Sequence, residues 1–198
     1  MSSPASDSVE ALAALRRGEV VAVATDTVYG LVCDPARAAA VDRIFALKHR
    51  PDDLELTILA ADASDLEGVV LWNGASRELA EAFWPGPLSL VLPVGARRLA
   101  IPRHGSILSV RIPDHQGLRD LLRRSGPLAS TSANRHGAPA ATSAAAVRRE
   151  FGASIAVVVP GGRPRGMAST IIDCSVTPPR VLREGPIDSH RLRGFVQG

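Results

Sequence analysis

The sequence predicts an α/β fold in which a mixed, strongly twisted β-sheet is flanked by helices. Short apolar runs that are typical of strands alternate along the chain with stretches that repeat apolar residues at helical spacing. The runs at 88–92 and 107–112 have no helix between them, which disfavours a purely parallel, doubly wound sheet. With 198 residues, of which 45% are hydrophobic, the chain is long enough to bury a core.

The N-terminal part of the chain is predicted to form a helix, a strand and a second helix. An amphipathic helix over 8–17 begins with Ser or Asp and ends before a strand over 20–24. The Asp-Pro pair at 34–35 opens the next helix. A proline follows Arg50 and disfavours helical backbone there, so we expect Lys48 and Arg50 to project from the last turn into a loop.

The rest of the chain is predicted to continue the alternation of strands and helices. The predicted strands cover 57–60, 88–92, 107–112, 128–130, 155–159 and 169–174, and the predicted helices cover 75–83, 115–124 and 142–151. We interpret residues 1–7 as a flexible N-terminal tail and residues 8–198 as a single domain.

Composition argues against several classes of protein. No apolar run approaches the roughly 20 residues that span a bilayer, and residues 1–8 lack the features of a signal peptide, so we expect a cytoplasmic protein without a membrane partner. Cys33 and Cys174 are too few for a disulfide framework or a zinc site and are interpreted as packed thiols. The basic balance, a net charge of +3, reflects the abundance of arginine rather than a clustered basic run. The four arginine pairs are isolated, and three of them lie at the ends of predicted helices.

Lys48 stands out because it is the only lysine among 23 basic residues. It lies in the segment FALKHRP, at the end of the second predicted helix. Lysine carries a compact, mobile charge, whereas arginine carries a planar fork suited to fixed contacts. The exception raises the question of what the ammonium group of Lys48 contacts.

Two polar stretches interrupt apolar strands and are candidates for a binding site. In ATDTVYGL, at 24–31, Thr25, Asp26 and Thr27 follow a strand and can either hold a polar ligand or cap a turn. In SVRIPDH, Arg111 shares a strand face with Ser109. An arginine at such a position either finds an anion or points to solvent.

Two further stretches combine hydroxyl groups with glycine or arginine. In LASTSANRHGAP, at 128–139, the strand breaks into a turn whose hydroxyls and backbone N–H groups suit phosphate oxygens, although serine-rich turns are also common without a ligand. In the last part of the chain Ser169 opens a strand and Arg183 follows another. Neither a Walker lysine loop nor a dinucleotide glycine fingerprint is present.

Taken in order, these motifs resemble the YrdC/TsaC family of threonylcarbamoyl-adenylate synthases. The matching segments are TDTVYGL at 25–31, KHRP at 48–51, FWPGP at 83–87, VRIP at 110–113, SAN at 132–134, STIID at 169–173 and LREG at 182–185. The resemblance implies the single-domain form and a YrdC-like twisted, open barrel-like mixed sheet. The sequence departs from the family pattern at 52–56, where most members have Asn, His or Lys followed by Pro-Leu, and at 32–33, where Val-Cys replaces Gly-Ala. A third departure is Ala140, which stands where family members commonly carry a serine.

The resemblance implies an enzyme, a nucleotidyltransferase that forms threonylcarbamoyl-AMP and pyrophosphate from L-threonine, bicarbonate or CO2, and ATP. The product would pass to a separate tRNA-modification transferase complex that forms threonylcarbamoyladenosine at position 37. Mg2+ is expected with ATP, held largely by the nucleotide and water rather than by a protein metal site. RNA contact by this chain is a further expectation.

The resemblance also assigns roles to nine residues. The expected ATP ligands are Lys48, Arg50, Ser132, Asn134 and Arg183, and the expected threonine ligands are Thr27, Arg111, Ser130 and Ser169. Lys48 and Arg50 would be catalytic through their contact with the ATP phosphates, which explains the single lysine. Arg111 would bind the threonine carboxylate.

Three interpretations stay open at the level of sequence. The chain is this synthase, a divergent nucleotide- or RNA-binding paralogue with weak or no synthase activity, or a carbamoyl-transfer relative. The aromatic content of 4% and the absence of a basic stripe in the sequence argue against an RNA-binding module. A carbamoyl-transfer relative that uses carbamoyl phosphate would carry neighbouring domains that this sequence lacks.

Overall fold

One mixed sheet organises the chain in the computed structural model, which describes residues 4–48, 56–101, 106–135, 137–162 and 164–196. Within these residues the strands are β1 (Val21–Val23), β2 (Gly30–Cys33), β3 (Thr57–Leu59), β4 (Leu88–Pro93), β5 (Ile107–Arg111), β6 (Leu128–Ser132), β7 (Val157–Val159), β8 (Thr170–Asp173) and β9 (Arg180–Arg183). They form a nine-stranded sheet in the order β7-β1-β2-β6-β3-β5-β4-β8-β9. The predicted α/β class with a mixed sheet is therefore confirmed.

The strand pairing explains why the sheet is mixed. The pairs β1–β7, β3–β5 and β4–β8 are parallel, and the other neighbours are antiparallel. β4 and β5 pair antiparallel with Leu90 opposite Val110, as the missing helix between them predicts. Parallel neighbours such as β3 and β5 need the longer crossovers that contain the helices.

Five α-helices flank the sheet within the described residues. They are α1 (Pro4–Arg17), α2 (Ala38–Lys48), α3 (Gly74–Phe83), α4 (Gln116–Ser125) and α5 (Ala144–Phe151). α1 begins four residues earlier than predicted and includes residues 4–7 of the predicted tail, because proline suits the first turn of a helix. α2 begins later than predicted, since Asp34 Oδ1 accepts a hydrogen bond from Ala36 N at 2.9 Å and holds a turn first.

Side-chain caps set the start of three helices. The capping residues of α3, α4 and α5 are Asn73, His115 and Ser143, and each accepts a hydrogen bond from the backbone N–H of the third helical residue. Such caps satisfy N–H groups that have no partner inside the helix. These starts lie within two residues of the predicted ones.

The two faces of the sheet carry different side chains, because successive side chains of a strand point to opposite faces. On one face Val110, Ile58 and Ala129 join the larger apolar core with α2, α3 and α5. On the other face α1 and α4 cover a smaller core that contains Leu59 and Leu128. The remainder of this second face carries polar side chains.

Two strands differ from the prediction. The prediction lacks β2, because its four residues begin at Gly30, soon after the turn of 25–28, and leave no alternating pattern of useful length. Arg183 was expected to follow a strand but is the last residue of β9. Cys33 and Cys174 are free and buried, as predicted. None of the described helices is long and apolar enough to cross a membrane.

Candidate active site

A pocket of about 610 Å³ opens on the polar part of the second sheet face. Its lining includes the cationic residues Lys48, Arg111 and Arg183 and the hydroxyl residues Thr25, Thr27, Tyr29, Thr57, Ser89, Ser109, Ser130, Thr131, Ser132 and Ser169. No Asp, Glu or His belongs to the lining among the described residues. The pocket therefore presents positive charge and neutral hydrogen-bonding groups to a ligand.

Strand register produces the hydroxyl groups on the pocket floor. Thr57 lies opposite Ser109 on one side and Ser130 on the other. The hydroxyls of Thr57 and Ser109 are 2.9 Å apart and hydrogen bonded. Ser109 is followed two residues later by Arg111 on the same face. The predicted common face of Ser109 and Arg111 is confirmed.

Lys48 enters the pocket from the last residue of α2 and is buried, with 3% of its surface exposed. Its Nζ donates to the Ser132 carbonyl oxygen at 2.8 Å and to Asn134 Oδ1 at 3.0 Å. The Ser132 hydroxyl also donates to Asn134 Oδ1, at 2.6 Å. Three of the residues predicted for ATP thus form one cluster at the end of β6.

The amide of Asn134 holds the turn that follows β6. Its Nδ2 donates to the carbonyl oxygens of Ala138 at 2.6 Å and Arg135 at 3.1 Å, while Oδ1 receives Lys48. Ala140 follows in the same turn and lines the pocket. Asn134 therefore shapes the loop as well as contributing to the pocket wall.

The turn after β1 is organised by Thr25. Its Oγ1 accepts hydrogen bonds from the backbone N–H of Thr27 and Val28 and donates to the Val28 carbonyl oxygen at 2.7 Å. The turn-capping alternative is thus confirmed for Thr25. The turn also fixes the orientation of the Asp26 and Thr27 side chains, which both accept hydrogen bonds from Arg111.

Arg111 is buried, with 5% of its surface exposed, so its solvent-facing alternative is wrong. One terminal nitrogen donates to Thr27 Oγ1 at 2.9 Å, and the other forms an ion pair with Asp26. Burial lowers the pKa of the Arg111 guanidinium, while the Asp26 carboxylate opposes that change. The charge of Arg183 also lowers the pKa of Arg111.

The FWPGP segment supplies a third anchor for Arg111. Arg111 Nε donates to the Gly86 carbonyl oxygen at 3.0 Å, and Gly86 N donates to the Ile112 carbonyl oxygen at 2.9 Å. A Cβ at Gly86 would lie 2.2 Å from the Phe83 carbonyl oxygen. Only glycine fits there without moving the backbone that holds Arg111.

Ser169 and Arg183 form the other cationic contact of the pocket. Arg183 donates to the Ser169 carbonyl oxygen from Nε at 3.0 Å and from a terminal nitrogen at 2.8 Å. The hydroxyls of Ser169 and Ser89 are 2.9 Å apart. Burial lowers the pKa of Arg183. Arg183, predicted for ATP, therefore contacts a residue predicted for threonine, and the two predicted sets meet here.

Eight of the nine predicted site residues lie together in this pocket. They are Thr27, Lys48, Arg111, Ser130, Ser132, Asn134, Ser169 and Arg183. Arg50 lies outside the described residues. The prediction missed Thr57, Ser89 and Ser109, whose only signal is a hydroxyl at alternate positions of an otherwise apolar strand. It also missed the role of Asp26 as the partner of Arg111.

Comparison with protein families identifies one match to most of the chain. The Sua5/YciO/YrdC family model, described as "Telomere recombination", matches residues 13–185. A relative from Mycobacterium tuberculosis is 38% identical over 190 residues, which cover 93% of this chain and 86% of that protein. The threonylcarbamoyl-AMP synthase of Bacillus subtilis is 38% identical over 196 residues, covering 94% of this chain.

A solved structure is similar to this chain over nearly its whole length. The crystal structure of Pyrococcus abyssi Sua5 complexed with L-threonine matches with a TM-score of 0.89 and 35% identity over 99% of this chain. The chain spans 56% of the B. subtilis protein and 58% of the P. abyssi chain. The similarity to these two longer proteins thus covers a little over half of each.

Proposed function

The chain belongs to the Sua5/YciO/YrdC family, and from this premise we propose that it is a threonylcarbamoyl-AMP synthase. The substrates would be ATP, L-threonine and bicarbonate or CO2, and the products threonylcarbamoyl-AMP and pyrophosphate. The observation that carries the proposal is the single pocket that gathers the cations Lys48, Arg111 and Arg183 around a hydroxyl-rich floor. The P. abyssi relative was crystallised with L-threonine.

The Lys48 cluster is the proposed phosphate end of the pocket. The ammonium group already donates to the neutral oxygens of Ser132 and Asn134, and phosphate oxygens would compete for the same protons. A buried cation interacts more strongly with a developing charge than an exposed one does. We assign Arg50 to the same phosphates from the family motif alone.

The Arg111 end of the pocket is the proposed threonine site. Arg111 offers the guanidinium that suits a carboxylate, and Thr27 and Ser130 lie in the same pocket. Ser169 is held by Ser89 and Arg183 and would complete the amino-acid contacts. Neutral hydroxyls suit the small polar side chain of threonine without adding charge.

The proposed reaction needs positioning more than proton transfer. The neutral amine of threonine adds to CO2 and releases one proton to water, which gives a carbamate. A carbamate oxygen then bonds to the α-phosphorus of ATP while the bond from that phosphorus to the bridging oxygen breaks, and pyrophosphate leaves. The described lining contains no Asp, Glu or His that would act as a general base. Orientation and charge neutralisation would therefore supply most of the acceleration.

Mg2+, RNA and the downstream transferase enter the proposal as partners of the reaction. Within the described residues no group of three or more His, Cys, Asp or Glu could hold a metal ion. Mg2+ would accordingly arrive on the triphosphate, with water as its other ligand. The product, a reactive mixed anhydride, would be consumed by a tRNA-modification transferase complex in the cytoplasm. Contact with RNA by this chain would be secondary.

The synthase is favoured over the divergent paralogue. The relative from B. subtilis carries the synthase name and aligns with 94% of this chain. Three of the four cationic residues expected of a synthase, Lys48, Arg111 and Arg183, also lie in one pocket, rather than spread over a surface as an RNA-binding module would require. The departure at Ala140 removes one hydroxyl from a lining that retains many others.

The test is pyrophosphate release from MgATP by the purified chain. We expect release that requires both L-threonine and bicarbonate, with threonylcarbamoyl-AMP detected by mass spectrometry. Omission of either substrate gives the background, and L-valine, which has a methyl group in place of the hydroxyl, is the matched substrate control. ATP binding without turnover under every combination would reject the synthase and favour the nucleotide-binding paralogue.

A further inference from the structure

Asp26 carries a buried carboxylate that contacts a residue of the pocket lining, and the proposed chemistry does not use this carboxylate. Its Oδ1 pairs with a terminal nitrogen of Arg111, and both side chains are 6% exposed. Asp26 is not among the residues that line the pocket. The carboxylate therefore touches Arg111 rather than the space for a ligand.

The backbone around Asp26 is fixed on two sides. Thr25 caps the turn that contains Asp26, through hydrogen bonds to the N–H groups of Thr27 and Val28. On the other side Arg165 N donates to the Asp26 carbonyl oxygen at 3.2 Å, and a neighbouring N–H donates to that of Thr27 at 2.9 Å. The carboxylate is thus held at a defined place relative to β5.

Fold stability alone does not explain this carboxylate. Within the described residues Asp26 Oδ2 is buried and has no hydrogen-bond partner. A buried acceptor without a donor destabilises the folded state, and a buried ion pair is often no better than an apolar pair of the same size. An asymmetric contact of this kind points to a role that acts through Arg111.

The remaining N–H groups of Arg111 suggest what that role is. A guanidinium has five N–H groups, and Asp26, Thr27 and Gly86 each receive one from a different nitrogen. Among the contacts of the described residues, one N–H therefore remains on each terminal nitrogen of Arg111, which lines the pocket. N–H groups on the two terminal nitrogens lie in the guanidinium plane and can donate to the two oxygens of a carboxylate.

We propose that Asp26 is a positioning residue that fixes Arg111 so that its two remaining N–H groups bind the carboxylate of the amino-acid substrate. The inference rests on the proposed synthase function and adds to its amino-acid site a residue that does not itself contact the substrate. Asp26 holds the guanidinium plane, while Arg111 alone contacts the substrate. Loss of Asp26 would leave Arg111 held only by Thr27 and Gly86, and the guanidinium plane would be less well aligned with the carboxylate.

The experiment compares Asp26→Ala and Asp26→Asn with the wild type in threonine-dependent pyrophosphate release. We expect Asp26→Ala to raise the KM for threonine at least tenfold and the KM for ATP less than threefold, with kcat largely retained at saturating threonine. Asp26→Asn keeps an oxygen for Arg111, so it should show a smaller rise of the same kind and should fold if the alanine variant does not.

A matched control is Asp173→Asn, which removes another buried carboxylate paired with an arginine, Arg180, away from the pocket lining. This variant should lower the melting temperature, and it should not raise the KM for threonine more than the KM for ATP. In addition, Asp26→Ala should have no further effect on the threonine KM once Arg111 is alanine, because its action passes through Arg111.

The outcomes separate this inference from the function it rests on. Wild-type protein without threonine-dependent release overturns both. Active wild type in which the Asp26 variants raise the KM for threonine and ATP equally, or leave both unchanged, overturns the positioning role alone. Additive effects of Asp26→Ala and Arg111→Ala on the threonine KM would also overturn it.

Discussion

Replacing Lys48 with methionine tests the phosphate end of the pocket most directly. Methionine has a similar length and a similar preference for helices, so the end of α2 should persist. The change removes the charge and the donors that reach the Ser132 carbonyl oxygen and Asn134 Oδ1, at 2.8 and 3.0 Å. Because the side chain is 3% exposed, water cannot freely replace those donors.

The expected effects on stability and on catalysis differ in size. Asn134 Oδ1 keeps the hydrogen bond from the Ser132 hydroxyl, so the main loss is the donor to the Ser132 carbonyl oxygen. A buried acceptor without its donor costs about 1–3 kcal/mol, so the free energy of unfolding should fall by roughly 2 kcal/mol or less. Most domains of this size have about 5–15 kcal/mol to lose and would stay folded at 25 °C. Loss of a preorganised cation beside the reacting phosphate should raise the barrier by about 3 kcal/mol, or roughly a hundredfold in rate.

The assay measures initial rates of pyrophosphate release over a range of ATP concentrations, together with the melting temperature. Lys48→Arg is the matched control because it keeps the positive charge but replaces a compact ammonium group with a planar fork. We expect it to lose at least about tenfold in rate, since the fork cannot reproduce the Lys48 contacts. If Lys48→Met keeps the wild-type rate and the wild-type melting temperature, the assignment of Lys48 to the ATP phosphates is wrong.

Three further predictions follow from the described contacts. Arg111→Ala should raise the threonine KM at least tenfold and the ATP KM far less, and equal rises would place Arg111 elsewhere in the reaction. Gly86→Ala should destabilise the fold by about 3 kcal/mol in urea unfolding, because the new Cβ would lie 2.2 Å from the Phe83 carbonyl oxygen. Burial raises the pKa of Cys33 and Cys174 to about 12, so the unfolded chain loses these protons first as pH rises above about 9. The free energy of unfolding should then fall by up to about 1.4 kcal/mol per pH unit for each thiol, and a variant with alanine at both positions should lack this decline.

The sequence predicted elements whose pattern is local. α3, α4 and α5 begin within two residues of the prediction because apolar residues repeat at helical spacing within each of them. The caps Asn73, His115 and Ser143 set the first helical residue of each. β2 was missed because its neighbours β1 and β6, rather than its own four residues, make it a strand. Pairing partners far apart in sequence leave no mark within a short segment.

The site was predicted from motifs, whereas its internal contacts were not. Lys48 and Asn134 are 86 residues apart, and Asp26 and Arg111 are 85 apart. No spacing rule connects such pairs, so Asp26 was interpreted only as a ligand or turn residue. The strand pattern alone leaves Arg111 between a solvent-facing and a ligand-binding position, because alternation gives the face of a strand side chain but not what covers that face.

The alternation that builds the core also builds the pocket. In β5 Leu108 and Val110 pack into the larger core, while Ser109 and Arg111 line the pocket. A shift of one residue in the register of this strand would bury the arginine in an apolar core and expose two aliphatic side chains in the pocket. The free energy of burying Leu108 and Val110 therefore holds Arg111 on the side where Asp26 and Thr27 can orient it. The precision of the site then depends on hydrophobic packing across the sheet as much as on the polar residues themselves.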